Sequence, residues 1–155
     1  MQKDRHLKIE KIGHHIPEFP GYRAVNFDET DRQLRHFLHR RLGEIRDDLG
    51  ESIEGLPSGG APRQALADCL KRLEEIGKRL EEPLSRQAEA SATRDQEEAL
   101  LDFDLNLLDK TAALSTAVGD ISRQGGGPAT QTLLASLIED LEDLLQRRAQ
   151  MAETL

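Results

Sequence analysis

The feature that most constrains this chain is a stripe of leucines and isoleucines that recurs every three or four residues. Between residues 34 and 56 it advances in steps of 4-4-3-4-4-3, through Leu34, Leu38, Leu42, Ile45, Leu49, Ile53 and Leu56. This spacing is close to one α-helical turn, so one face of a long helix is apolar. Gly55 and Pro57 then favour a helix end, because glycine accepts the left-handed cap and proline cannot continue the helix. We therefore predict a first long helix from about Asp28 to Glu54.

Three more amphipathic segments follow, each bounded by glycine or proline. We predict helices from about Pro62 to Pro83, from about Arg94 to Arg123, and from Pro128 onward. Two interpretations fit the join between the second and third. Thr93 and Gln96 resemble a capping box, which favours a break over residues 84–93. The alternative is one uninterrupted helix from Pro83 to about Ser122.

Composition supports a bundle of these helices. The 155 residues include 24 leucines, while tryptophan is absent and only five residues are aromatic. Sheets favour aromatic and β-branched residues, whereas helix bundles pack aliphatic side chains against one another. We predict an all-α, up-down-up-down four-helix bundle over residues 26–155.

Residues 1–25 differ from the rest and are predicted to form an irregular, mostly extended arm. Glycines and prolines punctuate the segment, and residues 6–12 alternate between polar and apolar. The arm carries a net charge of about +2, so it either lies on the acidic body or is a solvated tail. Phe19, Tyr22 and Phe27 concentrate aromatic surface near its end. We predict that they dock the arm on the bundle; the alternative is that they anchor a partner chain.

The net charge and the start of the chain indicate which partners are unfavourable and which location to expect. The net charge of −8 argues against nucleic acid and against an anionic membrane surface. The start of the chain lacks the apolar stretch of a secretory signal, and we expect a cytoplasmic protein.

Cys69 is the only cysteine, which excludes an internal disulfide and a cysteine-based zinc site.

The sequence contains none of the common catalytic or metal-binding patterns. Glu-x-x-His pairs, His-Glu-x-x-His and Gly-x-Ser-x-Gly are all absent. We therefore predict no catalytic residues, no metal and no cofactor. The first long helix carries a row of arginines that could face a partner, although nearby acids could neutralise it.

Asp104 is the one polar residue that the helical pattern leaves unexplained. A helical wheel places it at the centre of the apolar face of the third long helix, among Leu100, Leu101, Leu107 and Leu108. An unpaired carboxylate there would cost several kcal/mol. We predict that Asp104 is buried and paired with Arg35 or Arg41, which flank the stripe of the first long helix; the alternative is exposure at a bundle edge.

Three short strings resemble an uncharacterised family of bacterial helical proteins. They are Gly21-Tyr22-Arg23, Asp31-Arg32-x-Leu34-Arg35 and Phe103-Asp104-Leu105. The resemblance implies a bacterial source and a helical fold, and it implies no activity. Residues 84–93 depart from the pattern, which has a glycine- and aromatic-containing connection there.

The function that these observations favour is that of a non-enzymatic interaction or scaffold protein, which binds a protein partner or a second copy of itself. The main alternative is a bundle that binds a small ligand or cofactor in a polar cavity around Asp104. A third interpretation, an enzyme with Asp104 as its acid or base, lacks a second catalytic group.

Overall fold

The computed structural model describes residues 2–23, 27–84 and 92–153, and over these residues the chain is all-helical, with no strand. The helices are α1 (Gln2–Gly13), α2 (Phe27–Glu54), α3 (Ala61–Leu80), α4 (Arg94–Gln124) and α5 (Pro128–Ala152). The all-α prediction is confirmed, and α2 to α5 match the four predicted long helices within a few residues. No helix in the described ranges is long and apolar enough to cross a membrane.

The N-terminal arm is helical over about half of its length, from Gln2 to Gly13, so the prediction of a mostly extended arm is wrong. The alternation over residues 6–12 conceals a helical stripe, because Ile9, Ile12 and Ile16 lie three and four residues apart. Ile12 and Ile16 are buried, and α1 packs against α4. The apolar contacts with α4 therefore stabilise a helix whose own sequence is mostly polar.

The start of α4 decides between the two interpretations of residues 84–93. Thr93 has an extended backbone, and its hydroxyl accepts a hydrogen bond from the Gln96 N–H. The Gln96 side chain accepts one from the Thr93 N–H, which completes the predicted capping box. The uninterrupted helix is therefore wrong, although residues 85–91 lie outside the described ranges.

The four long helices are not all packed beside their sequence neighbours. Both α2 and α5 pack against α3 and α4, whereas the consecutive helices α3 and α4 make no close backbone contact. Ser52 and Ser122, near the ends of α2 and α4, have hydroxyl oxygens 2.9 Å apart. Arg41 and Ser115, which come earlier in the same two helices, are also hydrogen-bonded. These two helices therefore run in the same direction, side by side.

The three aromatic side chains of the arm region form one buried cluster. The ring centres of Phe19 and Tyr22 are 5.8 Å apart, and those of Tyr22 and Phe27 are 5.3 Å apart. All three residues are almost fully buried. The structure thus places these rings within this chain's own core, and the cluster brings the Tyr22 hydroxyl to the interior of the bundle.

Candidate functional site

The most unusual polar group in the structure is the carboxylate of Asp104. It lies on α4 with no exposed surface, among the buried Leu100, Leu101, Leu107 and Leu108. Both of its oxygens are hydrogen-bonded. The Tyr22 hydroxyl donates to Oδ2, and the Arg148 Nε donates to Oδ1 at 2.9 Å. The arginine thus provides the charge compensation that a buried carboxylate requires.

Arg148, near the C-terminal end of α5, joins three other segments of the chain. Besides Asp104, its guanidinium donates to the Tyr22 hydroxyl at 2.8 Å. Its Nη1 also lies 2.8 Å from Asp31 Oδ1, a charge contact that is not aligned as a hydrogen bond. Only 2 % of Arg148 is exposed, so its charge is compensated almost entirely by protein groups.

The arginines predicted from the sequence are not the partners of Asp104, so that part of the prediction is wrong. The Nε of Arg35 donates to Asp31 Oδ2 at 2.9 Å, and its Nη1 donates to the Leu80 carbonyl at the end of α3. Arg35 therefore reaches Asp104 only through Asp31 and Arg148. Arg41 is further along α2, where it donates to Glu44 and to the Ser115 hydroxyl.

Together these side chains form a closed network, which we call the buried network: Tyr22, Asp31, Arg35, Asp104 and Arg148. Its two carboxylates balance its two guanidinium groups, and the Leu84 N–H adds a hydrogen bond to Asp31 at 3.1 Å. The network connects the arm, α2, the end of α3, α4 and α5. It therefore fixes how these segments are arranged at one end of the bundle.

A third buried carboxylate, that of Glu97, holds the arm from outside the buried network. It lies seven residues before Asp104, two turns away on the same face of α4. One of its oxygens accepts hydrogen bonds from the backbone N–H groups of Tyr22 and Arg23, at 2.8 and 2.9 Å. The other accepts from Arg5 of α1. Glu97 thus fixes the backbone of Tyr22, and the hydroxyl of the same residue donates its hydrogen bond to Asp104.

The Gly-Tyr-Arg string has a steric explanation at its first residue. Gly21 has φ +85°, a left-handed conformation that residues with a Cβ rarely adopt. A Cβ at this position would lie 2.9 Å from the Glu97 carboxylate and 2.9 Å from the Ile9 side chain. Glycine is therefore required for the turn and for the close approach of Glu97.

The environment decides the protonation of these groups. Burial raises the pKa of Asp104 to about 6, although the Arg148 charge and the Tyr22 hydrogen bond oppose the rise. Burial and the neighbouring carboxylate also raise the pKa of Tyr22 well above its ordinary value, so the phenol keeps the proton that it donates. For Glu97, burial alone would raise the pKa, but the hydrogen bonds from Arg5, Tyr22 and Arg23 outweigh it, and the pKa is lowered.

The sequence pattern located Asp104 and Tyr22 but not Asp31, Arg148 or Glu97. A signal for Arg148 does exist, because it follows Leu141 by seven residues and Leu145 by three, on the apolar stripe of α5. A charged residue at such a position predicts a buried ion pair as readily as Asp104 does. Among the described residues, no group of three histidine, cysteine or acidic side chains is arranged to hold a metal ion.

Comparisons of the chain with models of protein families, with curated proteins and with solved structures give no match in any of the three. The resemblance of its three short strings to a bacterial helical family therefore stays a prediction. The structure does give those strings physical roles, since Gly21, Tyr22, Asp31, Arg35 and Asp104 all belong to the buried network or to its support.

Proposed function

We propose that this chain is a non-enzymatic interaction or scaffold protein, in which an up-down-up-down bundle of α2 to α5 presents helix faces to a protein partner or to a second copy. The observation that carries the proposal is the closure of the buried network. Its two aspartates compensate the charges of its two arginines inside the bundle, and this use of polar groups specifies how helices pack.

The environment of Asp104 argues against a catalytic role. A general acid or base must come within about 2.6–3.2 Å of the atom that gives or takes the proton. Asp104 has no exposed surface, and both of its oxygens already accept hydrogen bonds from Tyr22 and Arg148. A substrate could reach the carboxylate only if the arm or α5 moved away.

The alternative, a small-ligand bundle, has one observation in its favour. A cavity of about 150 Å³ reaches the buried network and is lined in part by Arg35, Leu84, Leu145 and Arg148. The guanidinium groups of Arg35 and Arg148 are already neutralised by aspartates. The remaining charged lining residues, Arg79 and Glu82, have opposite signs, so the cavity offers an anion little excess positive charge. We therefore place this alternative second.

Native mass spectrometry and crosslinking of the protein from the cells that produce it test the proposal. We expect the mass of the chain without a bound small molecule, and lysine-specific crosslinks from Lys71, Lys78 or Lys110 to one protein or to a second copy. A stoichiometric small-molecule adduct, with no protein crosslinked above the level of an unrelated acidic bundle, would instead support the ligand-binding alternative.

A further inference from the structure

The exposed face of α2 carries charges whose sign reverses at the middle of the helix. We call this surface the charged stripe. After Glu29, which is exposed on the same face and forms an ion pair with Arg32, the N-terminal half is basic and the C-terminal half is acidic. The members of the stripe are Arg32, His36, Arg40, Asp47, Glu51 and Glu54. Successive members are three, four or seven residues apart, so they share one face of the helix. That face is opposite the buried leucine stripe, and all six side chains are exposed.

The pattern is nearly symmetric about Gly43, at the centre of the stripe. Each basic residue before Gly43 has an acidic counterpart at nearly the same distance after it. The pairs are Arg40 and Asp47 (three and four residues away), His36 and Glu51 (seven and eight), and Arg32 and Glu54 (eleven each). Two copies of α2 that cross antiparallel at Gly43 would therefore place every basic side chain opposite an acidic one. This self-complementarity is what a twofold interface requires.

Two glycines in the same helix have no packing explanation within the chain. Gly43 and Gly50 lie inside α2, where glycine is less favourable than alanine. A Cβ added at either position would meet no atom within 4 Å. No neighbour in the described part of the chain therefore requires their small size. At a crossing point, the absence of a side chain lets two helix backbones come close.

The charges of the stripe are only weakly engaged within the chain. Arg32 makes an exposed ion pair with Glu29 at 3.3 Å, and the Arg40 guanidinium lies 5.7 Å from the centre of the Phe37 ring. Within the described ranges, Asp47, Glu51 and Glu54 make no ion pair. Since α2 turns its other face to α3 and α4, the charged stripe is left uncovered.

We propose that the charged stripe is the interface for a second copy of this chain, with the twofold axis at Gly43. The inference rests on the proposed function and names the partner. The contact extends over about 22 residues, or about 33 Å of helix. It is mostly polar, and a single helix pair is smaller than the ~1,600 Å² of a stable complex, so we expect a weak, salt-sensitive dimer in the micromolar range.

Sedimentation equilibrium of charge-reversal variants of the full chain tests the interface. Arg40→Asp and Asp47→Arg each place like charges together twice, once on each side of the axis. We expect either substitution to raise the dimer Kd at least tenfold, and the double variant to return it to within about threefold of wild type. Lys71→Asp, an exposed change of the same charge on α3, is the matched control and should leave the Kd unchanged. Raising the salt from 0.05 to 0.5 M should weaken the wild-type dimer.

Gly43→Leu separates association from folding. The position is open within the chain and leucine favours helix, so the melting temperature should stay the same or rise, while the dimer should be lost. A wild-type chain that is monomeric at 500 μM would overturn the inference, and so would a dimer that tolerates Arg40→Asp. Neither result would remove the proposed function, which the crosslinking experiment tests through any other protein partner.

Discussion

Removal of the Arg148 guanidinium is the most direct perturbation of the buried network. Arg148→Met keeps a long apolar side chain and removes the contacts with Asp104, Tyr22 and Asp31. Breaking a buried ion pair by removing one partner typically costs about 3–5 kcal/mol, because the other charge is left uncompensated. We expect a loss of stability in this range at pH 7.

The contributions can be estimated from the structure. A pKa of about 6 for Asp104, against an ordinary 3.8, means that burial, after the opposing effects of Arg148 and Tyr22, disfavours the ionised group by a net of about 3 kcal/mol at neutral pH. Without Arg148 the pKa of Asp104 rises further and the carboxyl takes up a proton at pH 7. Protonation limits the total cost from this group to about 4 kcal/mol, which is about 1 kcal/mol more than in wild type. The remainder of the loss comes from the Tyr22 hydroxyl and the Asp31 carboxylate, at about 1–3 kcal/mol for each weakened group.

A double-mutant cycle isolates the ion pair from these other losses. Asp104→Leu alone leaves Arg148 short of a carboxylate, whereas Asp104→Leu with Arg148→Met removes both charges. We expect the double variant to lose about as much stability as either single variant, which corresponds to a coupling energy of about 3–5 kcal/mol. The same cycle between Asp104 and Arg41 is the control, and its coupling should be within about 0.5 kcal/mol of zero.

Urea unfolding at pH 7, followed by far-UV circular dichroism, measures all four corners of each cycle. The free energies are comparable only while the slope against urea is unchanged. If Asp104 and Arg148 contributed additively, with each single variant costing less than about 1 kcal/mol, the buried network would not hold the helices together and its proposed role would be refuted.

Three further predictions concern the same end of the bundle. The raised pKa of Asp104 adds stability below pH 3.8 that is lost as the pH rises to about 6, so urea titrations should show wild type losing about 3 kcal/mol relative to Asp104→Asn across that window. Gly21→Ala should cost about 2–3 kcal/mol, from a left-handed backbone plus a clash with Glu97, whereas Gly59→Ala, at φ +76° with no atom within 4 Å, should cost only about 1 kcal/mol. Deletion of residues 1–25 should lower stability by more than about 1 kcal/mol; an unchanged melting temperature would contradict the docked arm.

The four long helices could be predicted because their signals are local. Apolar spacing of three and four residues, the capping residues Thr93 and Gln96, and the glycines and prolines at the ends all act within a few turns of chain. The same periodicity identified Asp104 as a polar residue on an apolar face. The periodicity did not predict α1. This short polar helix depends on its contacts with α4 rather than on its own helix propensity.

The partner of Asp104 was decided by the tertiary structure alone. The sequence offers several arginines, and Arg35 and Arg41 flank the longest leucine stripe, which makes them reasonable candidates. The choice depends on which helices are neighbours, and the packing of α4 against both α2 and α5 is not encoded in any local pattern. Arg148 lies on α5, 44 residues from Asp104 in the sequence. A charge in the low-polarity interior has to be compensated by whichever group the fold brings beside it.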